Sequence, residues 1–186
     1  VSLLGDTSKF NFDADLQYAN LYQLNISKQK FSLSGLLNLN FVGNNIDNFL
    51  GTAKMYNATL LNDSARLSFD SLSLTSYIEA GNKILKIETN EMEGNITGRF
   101  KILELPGAFN VFLNRYYPSY FNKPAYDIGD QDFSFYIKTK QVDEYVRLLD
   151  NRLKGFDNSV FSGTLKMAKN EFNLKAIVPE FVFDGK

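Results

Sequence analysis

Side chains that commonly perform acid–base, nucleophilic or metal chemistry are scarce in this chain. Its 186 residues include no His and no Cys. That removes the usual general base, the thiolate nucleophile, the disulfide and the commonest transition-metal ligands. Serine, lysine and carboxylates remain. Ser27-Lys28-Gln29-Lys30 has the S-x-x-K spacing of penicillin-binding enzymes, but no K-T-G segment accompanies it, and it reads as a strand–turn rather than a helix start. Asp127, Asp130 and Asp132 could offer oxygens to Ca²⁺, yet they lack EF-hand spacing and read as a solvated loop. Asp13 and Asp15, and Glu79, Glu88, Glu91 and Glu93, fall in alternating runs and read as wet strand faces. Asn25, Asn57, Asn62 and Asn95 each begin a glycosylation sequon, as chance provides in an Asn-rich chain. We therefore expect no enzymatic activity, no metal and no cofactor.

The elements that would position any site follow period two. Met92, Gly94, Ile96, Gly98, Phe100 and Ile102 alternate with Glu91, Glu93, Asn95, Thr97, Arg99 and Lys101. Such alternation puts every other side chain on one face of a pleated strand. The same pattern carries Phe31, Leu33, Gly35, Leu37, Leu39 and Phe41; Leu67 and Phe69; Leu72 and Leu74; and Leu85 and Ile87. It returns in Phe133, Phe135 and Ile137, in Gly163, Leu165 and Met167, in Phe172, Leu174, Ala176 and Val178, and in Phe181 and Phe183. Turn residues separate the runs, as at Gly43-Asn44-Asn45 and Gly81-Asn82, so roughly ten strands are expected, mostly antiparallel hairpins.

Two amphipathic helices are expected. One spans Pro106 to Tyr116, with Phe109, Phe112, Leu113 and Tyr116 on one face and Pro118 beyond its end. The other carries Val142, Tyr145, Val146, Leu149 and Leu153, with Gly155 as a stop. Ile46 to Leu50 reads as one short helical turn, and Asn20 to Leu24 as a third short helix or a loop. The segment 117–132 is the best internal boundary of a single domain spanning 1–186, a long loop between two halves of one sheet system. A Gly-x-apolar-polar-apolar motif begins at Gly35, Gly51, Gly98 and Gly163. Such a glycine marks a bulge or bend, or else shapes an apolar cavity.

Composition bounds the class. Hydrophobic residues make up 44% and charged residues 22%, which describes a folded domain, and the net charge of −1 argues against nucleic acid as a partner. No apolar run reaches the ~18 residues of a membrane span. The chain begins at Val1 and reads as a piece cut from a longer protein. One helix shields about two strands, so two helices leave much of a ten-strand apolar face uncovered. A second sheet could pack on it, the sheet could curl into a barrel or trough, or the face could stay open to an apolar ligand.

Several segments resemble the AsmA-like repeats of TamB-family proteins of the bacterial envelope. "FSLSGLLNLNFVGNNIDNFLGTAKMYNATLLND" and "LKIETNEMEGNITGRFKILELPGAFNVFLNRYYPSYF" carry the strand with Gly-x-apolar, then a short helix ending near Tyr117-Pro118. "DQDFSFYIKTKQVDEYVRLLD" is similar to the family's strand-then-helix continuation, and "SVFSGTLKMAKNEFNLKAIVPEFVFDG" to its closing hairpins.

The resemblance implies a mainly β fold: a curved antiparallel sheet forming a U-shaped trough or open barrel with an apolar interior, plus two short amphipathic helices. It implies an internal segment of a periplasmic bridge protein, with the parent chain anchored in the inner membrane. Its implied partners are phospholipid or other acyl chains, neighbouring repeats of the same chain, and an outer-membrane β-barrel. Its implied work is phospholipid transfer to, or protein assembly at, the outer membrane. The expected lining is Leu33, Leu37, Leu39, Phe41, Met55, Leu67, Phe69, Ile87, Ile96, Phe100, Ile102, Phe133, Phe135, Ile137, Leu165, Met167, Phe172 and Leu174. The alternative is a secreted or surface β-sandwich that binds a protein or glycan through Tyr116, Tyr117, Tyr120, Phe121 and Tyr126.

Overall fold

A computed structural model describes residues 8–24, 30–62, 66–119, 122–149 and 152–183. The S-x-x-K serine Ser27, the sequons at Asn25 and Asn62, and the aromatics Tyr120 and Phe121 lie wholly or partly outside the described residues. The strands are β1 (Lys9–Asn20), β2 (Ser32–Val42), β3 (Leu50–Leu61), β4 (Arg66–Glu79), β5 (Asn82–Thr89), β6 (Met92–Arg99), β7 (Asp132–Thr139), β8 (Leu153–Gly155), β9 (Val160–Lys166), β10 (Glu171–Ile177) and β11 (Phe181–Phe183). The helices are α1 (Leu105–Tyr116) and α2 (Asp143–Leu149), with single 3₁₀ turns at Ile46–Asn48, Ile102–Glu104 and Met167–Lys169.

Nine strands form one antiparallel sheet in the order β1-β2-β3-β4-β5-β6-β7-β9-β10. The sheet is open: β1 and β10 are its edges, and they do not meet. β8 and β11 pair separately. The expected antiparallel architecture is present, the open trough form agrees with it, and no second large sheet faces it among the described residues. The segment 117–131 does not interrupt the sheet, because β6 and β7 on either side of it pair from Met92↔Thr139 to Arg99↔Asp132.

Both helices lie on the apolar face, called inner below. α1 leaves β6 at the end marked by Arg99, and α2 leaves β7 at the opposite end, after Thr139. Pro106 starts α1 without a lost hydrogen bond, and the Tyr117 N–H closes it on the Leu113 carbonyl at 2.8 Å. Glu104 before it serves another purpose. Its carboxylate accepts from Lys101 Nζ at 2.7 Å, and from the Gly129 N–H and Gln131 Nε2 at 3.0 Å each. Gln131 is buried and takes the Lys101 N–H on its own side-chain oxygen. These bonds tie the loop before β7 to the start of α1. α2 is shorter than its apolar spacing predicts. Leu153 has left the helix and pairs with Phe183, an alternative that β-pairing offers to a short helix end.

The Gly-x-apolar motif is a backbone device. Gly98 has φ of 140°, as Gly35 and Gly51 nearly do, a region that L side chains rarely enter. A Cβ at Gly98 would also stand 2.8 Å from the Phe133 Cα. The neighbouring strand fills the space, so the glycine permits a bend and close approach and leaves no cavity.

Candidate functional site

The inner face divides into three parts. The first is a cluster of Met55, Ala58, Leu67 and Phe69, all buried, with Leu33, Leu37, Leu72 and Tyr145 packed on it. Tyr145 comes from α2, and its phenol donates to Thr89 Oγ1 at 3.5 Å. Burial holds the Tyr145 phenol above its ordinary range. Val142, at the base of α2, is 2% exposed, and its N–H donates to Asp157 Oδ1 at 2.7 Å.

The second part is a cluster of Phe100, Ala108, Phe133 and Leu165, closed by α1. Ile96, Ile102, Phe135, Met167 and Phe172 pack against it. Phe109 of α1 stands edge-on to Phe133, Phe135 and Phe172, with ring centroids 5.9, 5.9 and 5.7 Å away. Edge-to-face contacts of this kind add to the burial of aromatic area. Lys83 lies over the Phe100 ring at 5.3 Å and donates to the Asp47 carbonyl. Burial lowers its ammonium pKa, against a smaller raising pull from Asp47.

The third part is a row that belongs to neither cluster. Strand register places Phe12 opposite Leu39, Leu39 opposite Ala53, Ala53 opposite Leu74, and Leu74 opposite Ile87. It continues through Gly94, Ile137 and Phe161 to Ala176. The row crosses all nine strands with no polar side chain, a span of about 38 Å at ~4.8 Å per strand. Phe12 and Ala176 at its ends are exposed, Gly94 is buried, and the others are half-buried. Gly94 keeps the middle low: Ile87 Cγ2 and Ile137 Cγ1 stand 3.2 and 3.5 Å from where its Cβ would be.

The sequence-named lining residues therefore separate. Met55, Leu67, Phe69, Phe100, Phe133 and Leu165 are closed core, not open lining. A single interior shared by Leu37, Phe100 and Leu165 is not what forms: Leu37 packs in the first cluster and the other two in the second. Leu39, Ile87 and Ile137 stand in the half-open row, and Phe41 stacks on Phe10 at 4.8 Å and meets Phe49 at a tilt, 5.2 Å away. Ile102 and Met167 sit on 3₁₀ turns past the strand ends. Leu174 has the expected phase but lies on an edge strand without an outer neighbour, and it is 55% exposed. Sequence reasoning passed over Phe12, Ala53, Leu74 and Phe161 as site residues. Paired positions in an unshifted stretch of hairpin have a constant sum, and that relation aligns Phe12 with Leu39, Leu39 with Ala53 and Ala53 with Leu74, although β1–β2 and β2–β3 each carry a register shift farther along.

The opposite face is mainly polar, though Leu36, Tyr56 and Tyr136 are exposed on it. Asp13 and Asp15 lie there, as expected for a wet strand face, with Asp13 accepting from Asn38 Nδ2 at 2.6 Å. Arg99 reaches Asp130 at 3.5 Å and Asp132 at 3.8 Å. Three shallow depressions of about 360 to 440 Å³ lie mainly along this polar side or at the sheet edge, the largest against β7, β9 and β10. Tyr116, Tyr117 and Tyr126 are exposed on the loop side of α1, where Asn170 Nδ2 donates to the Tyr116 hydroxyl. No group of three or more carboxylates among the described residues is placed to hold a metal ion. No family model, curated protein or solved structure matches this chain.

Proposed function

We propose that this chain is a non-enzymatic segment of a TamB/AsmA-like bridge protein in the periplasm, and that acyl chains lie along the half-open row of its inner face. The row carries the proposal: nine strands wide, apolar throughout, and covered by neither helix-closed cluster. Displacing water from such a surface favours hydrocarbon by about 0.8 kcal/mol per methylene. With no fixed hydrogen-bond partner in the row, binding has low specificity and fast exchange, as transfer of phospholipid requires. Neighbouring repeats would lengthen the same row.

Crosslinking of the folded chain to a photoactivatable phospholipid tests this. Label should enter peptides containing Leu39, Leu74 and Ile87. Leu39→Asp and Ile87→Asp should abolish most of it, because a carboxylate beside hydrocarbon is expensive. Arg99→Ala on the polar face should leave it unchanged. Equal labelling of wild type and both folded Asp variants would end the proposal. Loss of binding to a protein or glycan partner on replacing Tyr116, Tyr117 and Tyr126 would favour the surface-domain reading instead.

A further inference from the structure

We propose that β10 pairs with β10 of a second copy of this chain, antiparallel, about a two-fold axis through Asn173. The two sheet edges are guarded differently. β1 has a register shift between Leu16 and Ala19, which discourages edge pairing, and its charges at Asp13 and Asp15 share one sign, whereas those of β10 are opposite. β10 holds unbroken register with β9 and is exposed at every residue but Phe172, with Leu174 and Ile177 at 55% and 57%. A regular, exposed, partly apolar edge is a template for another strand.

The sequence of β10 selects its occupant. Glu171-Phe172-Asn173-Leu174-Lys175 is its own complement when reversed. With Asn173 opposite Asn173 of the second copy, Glu171 faces Lys175 and Phe172 faces Leu174, each twice. Neither Glu171 nor Lys175 is in an ion pair among the described residues. An axis perpendicular to the sheet keeps both inner faces on one side. The Phe172–Leu174 pairs then join the inner face, and the ion pairs and the Asn pair stay on the polar face. Parallel addition of β1 from another copy would also match charges, Lys9 with Glu171 and Asp13 with Lys175. It uses the guarded edge and the slightly weaker parallel ladder. The inference does not rest on the acyl-chain reading, and where it holds a neighbouring repeat can lengthen the row only past β1.

Sedimentation equilibrium of the 186-residue chain should show a monomer–dimer equilibrium. Lys175→Glu or Glu171→Lys alone sets like charges face to face at two symmetric places and should weaken the dimer about tenfold. The double variant E171K/K175E should restore it, because the pairing is its own mirror. Both positions are exposed, and unchanged circular dichroism checks the fold. A monomer at every concentration overturns the proposal and leaves the edge to neighbouring repeats. Single variants without effect, or a double variant weaker than either single one, overturn this pairing in favour of another contact.

Discussion

β7 contrasts two environments within one strand. Phe133 is 2% exposed, pinned between Leu165, Phe100 and the edge of Phe109. Four residues on, and on the same face, Ile137 is half-buried and has only Gly94 and Phe161 as its cross-strand neighbours. The difference is not one of hydrophobicity. It comes from cover: α1 descends over Phe133 and Phe135, and α2 turns down over Thr89 and Met55 at the far end of the sheet. Two helices issuing from opposite ends of adjacent strands close opposite corners of one face and leave the row between them. An apolar period therefore marks which way a residue faces, and the placement of the helices decides whether it is core or surface.

Truncation gives the largest separation of the two environments. Phe133→Ala should cost about 3–5 kcal/mol of unfolding free energy, since it removes a ring from a closed cluster. Ile137→Ala should cost about 1 kcal/mol, because much of its side chain already meets solvent. Urea titrations of both variants would break the comparison if the two costs were equal, for the row would then be core.

Gly98→Ala probes how the closed end is built. The strained φ and the approach of the Phe133 backbone should together cost about 2–3 kcal/mol. A neutral result in thermal melts would show that the bend before Phe100 does not hold the second cluster.

Acid gives the smallest effect and sharpens the same contrast. The hydrogen bond from Lys101, outweighing an opposing effect of burial, and the bonds from Gly129 and Gln131 keep the Glu104 carboxyl below the usual carboxylate range. A folded pKa below the unfolded one stabilises the protein fully above the ordinary carboxylate range. That contribution fades as pH falls through the lowered value. Glu104→Gln should lower the Tm at neutral pH, and the gap from wild type should close in acid. A gap that stays constant with pH would mean that the tie between α1 and the loop before β7 does not depend on the charge.

Much of this was legible in residues. The alternation from Met92 to Arg99, the start of α1 at Pro106 and the glycines that bend strands all follow from local chemistry. The phase change in β4 is not explained by alternation alone. Leu67 and Phe69 differ in parity from Leu72 and Leu74, and strict alternation within one strand would put the two pairs on opposite faces. They are one strand, because β3 and β4 each advance three residues between the pairs Met55↔Leu72 and Ala58↔Phe69. Asn57, at φ of 48°, absorbs the extra residue in β3. Both strands change phase together, so register survives and all four side chains stay inside. The division of the inner face was hidden for another reason: where a helix lands depends on which strand end it leaves, and periodicity does not encode that.

Sequential pairing has a kinetic consequence. From β1 to β7 every strand pairs with its chain neighbour, and only the β8 excursion separates β7 from β9. Such a meander closes mostly short loops, the connections 100–131 before β7 and 140–159 before β9 excepted, so most of its strand pairings are local for a sheet of this width. Folding can advance hairpin by hairpin from any nucleus without waiting for a distant strand. The same connectivity makes the sheet extensible. Two strands gained or lost as a unit leave the direction of every later strand, and the face of every later side chain, unchanged.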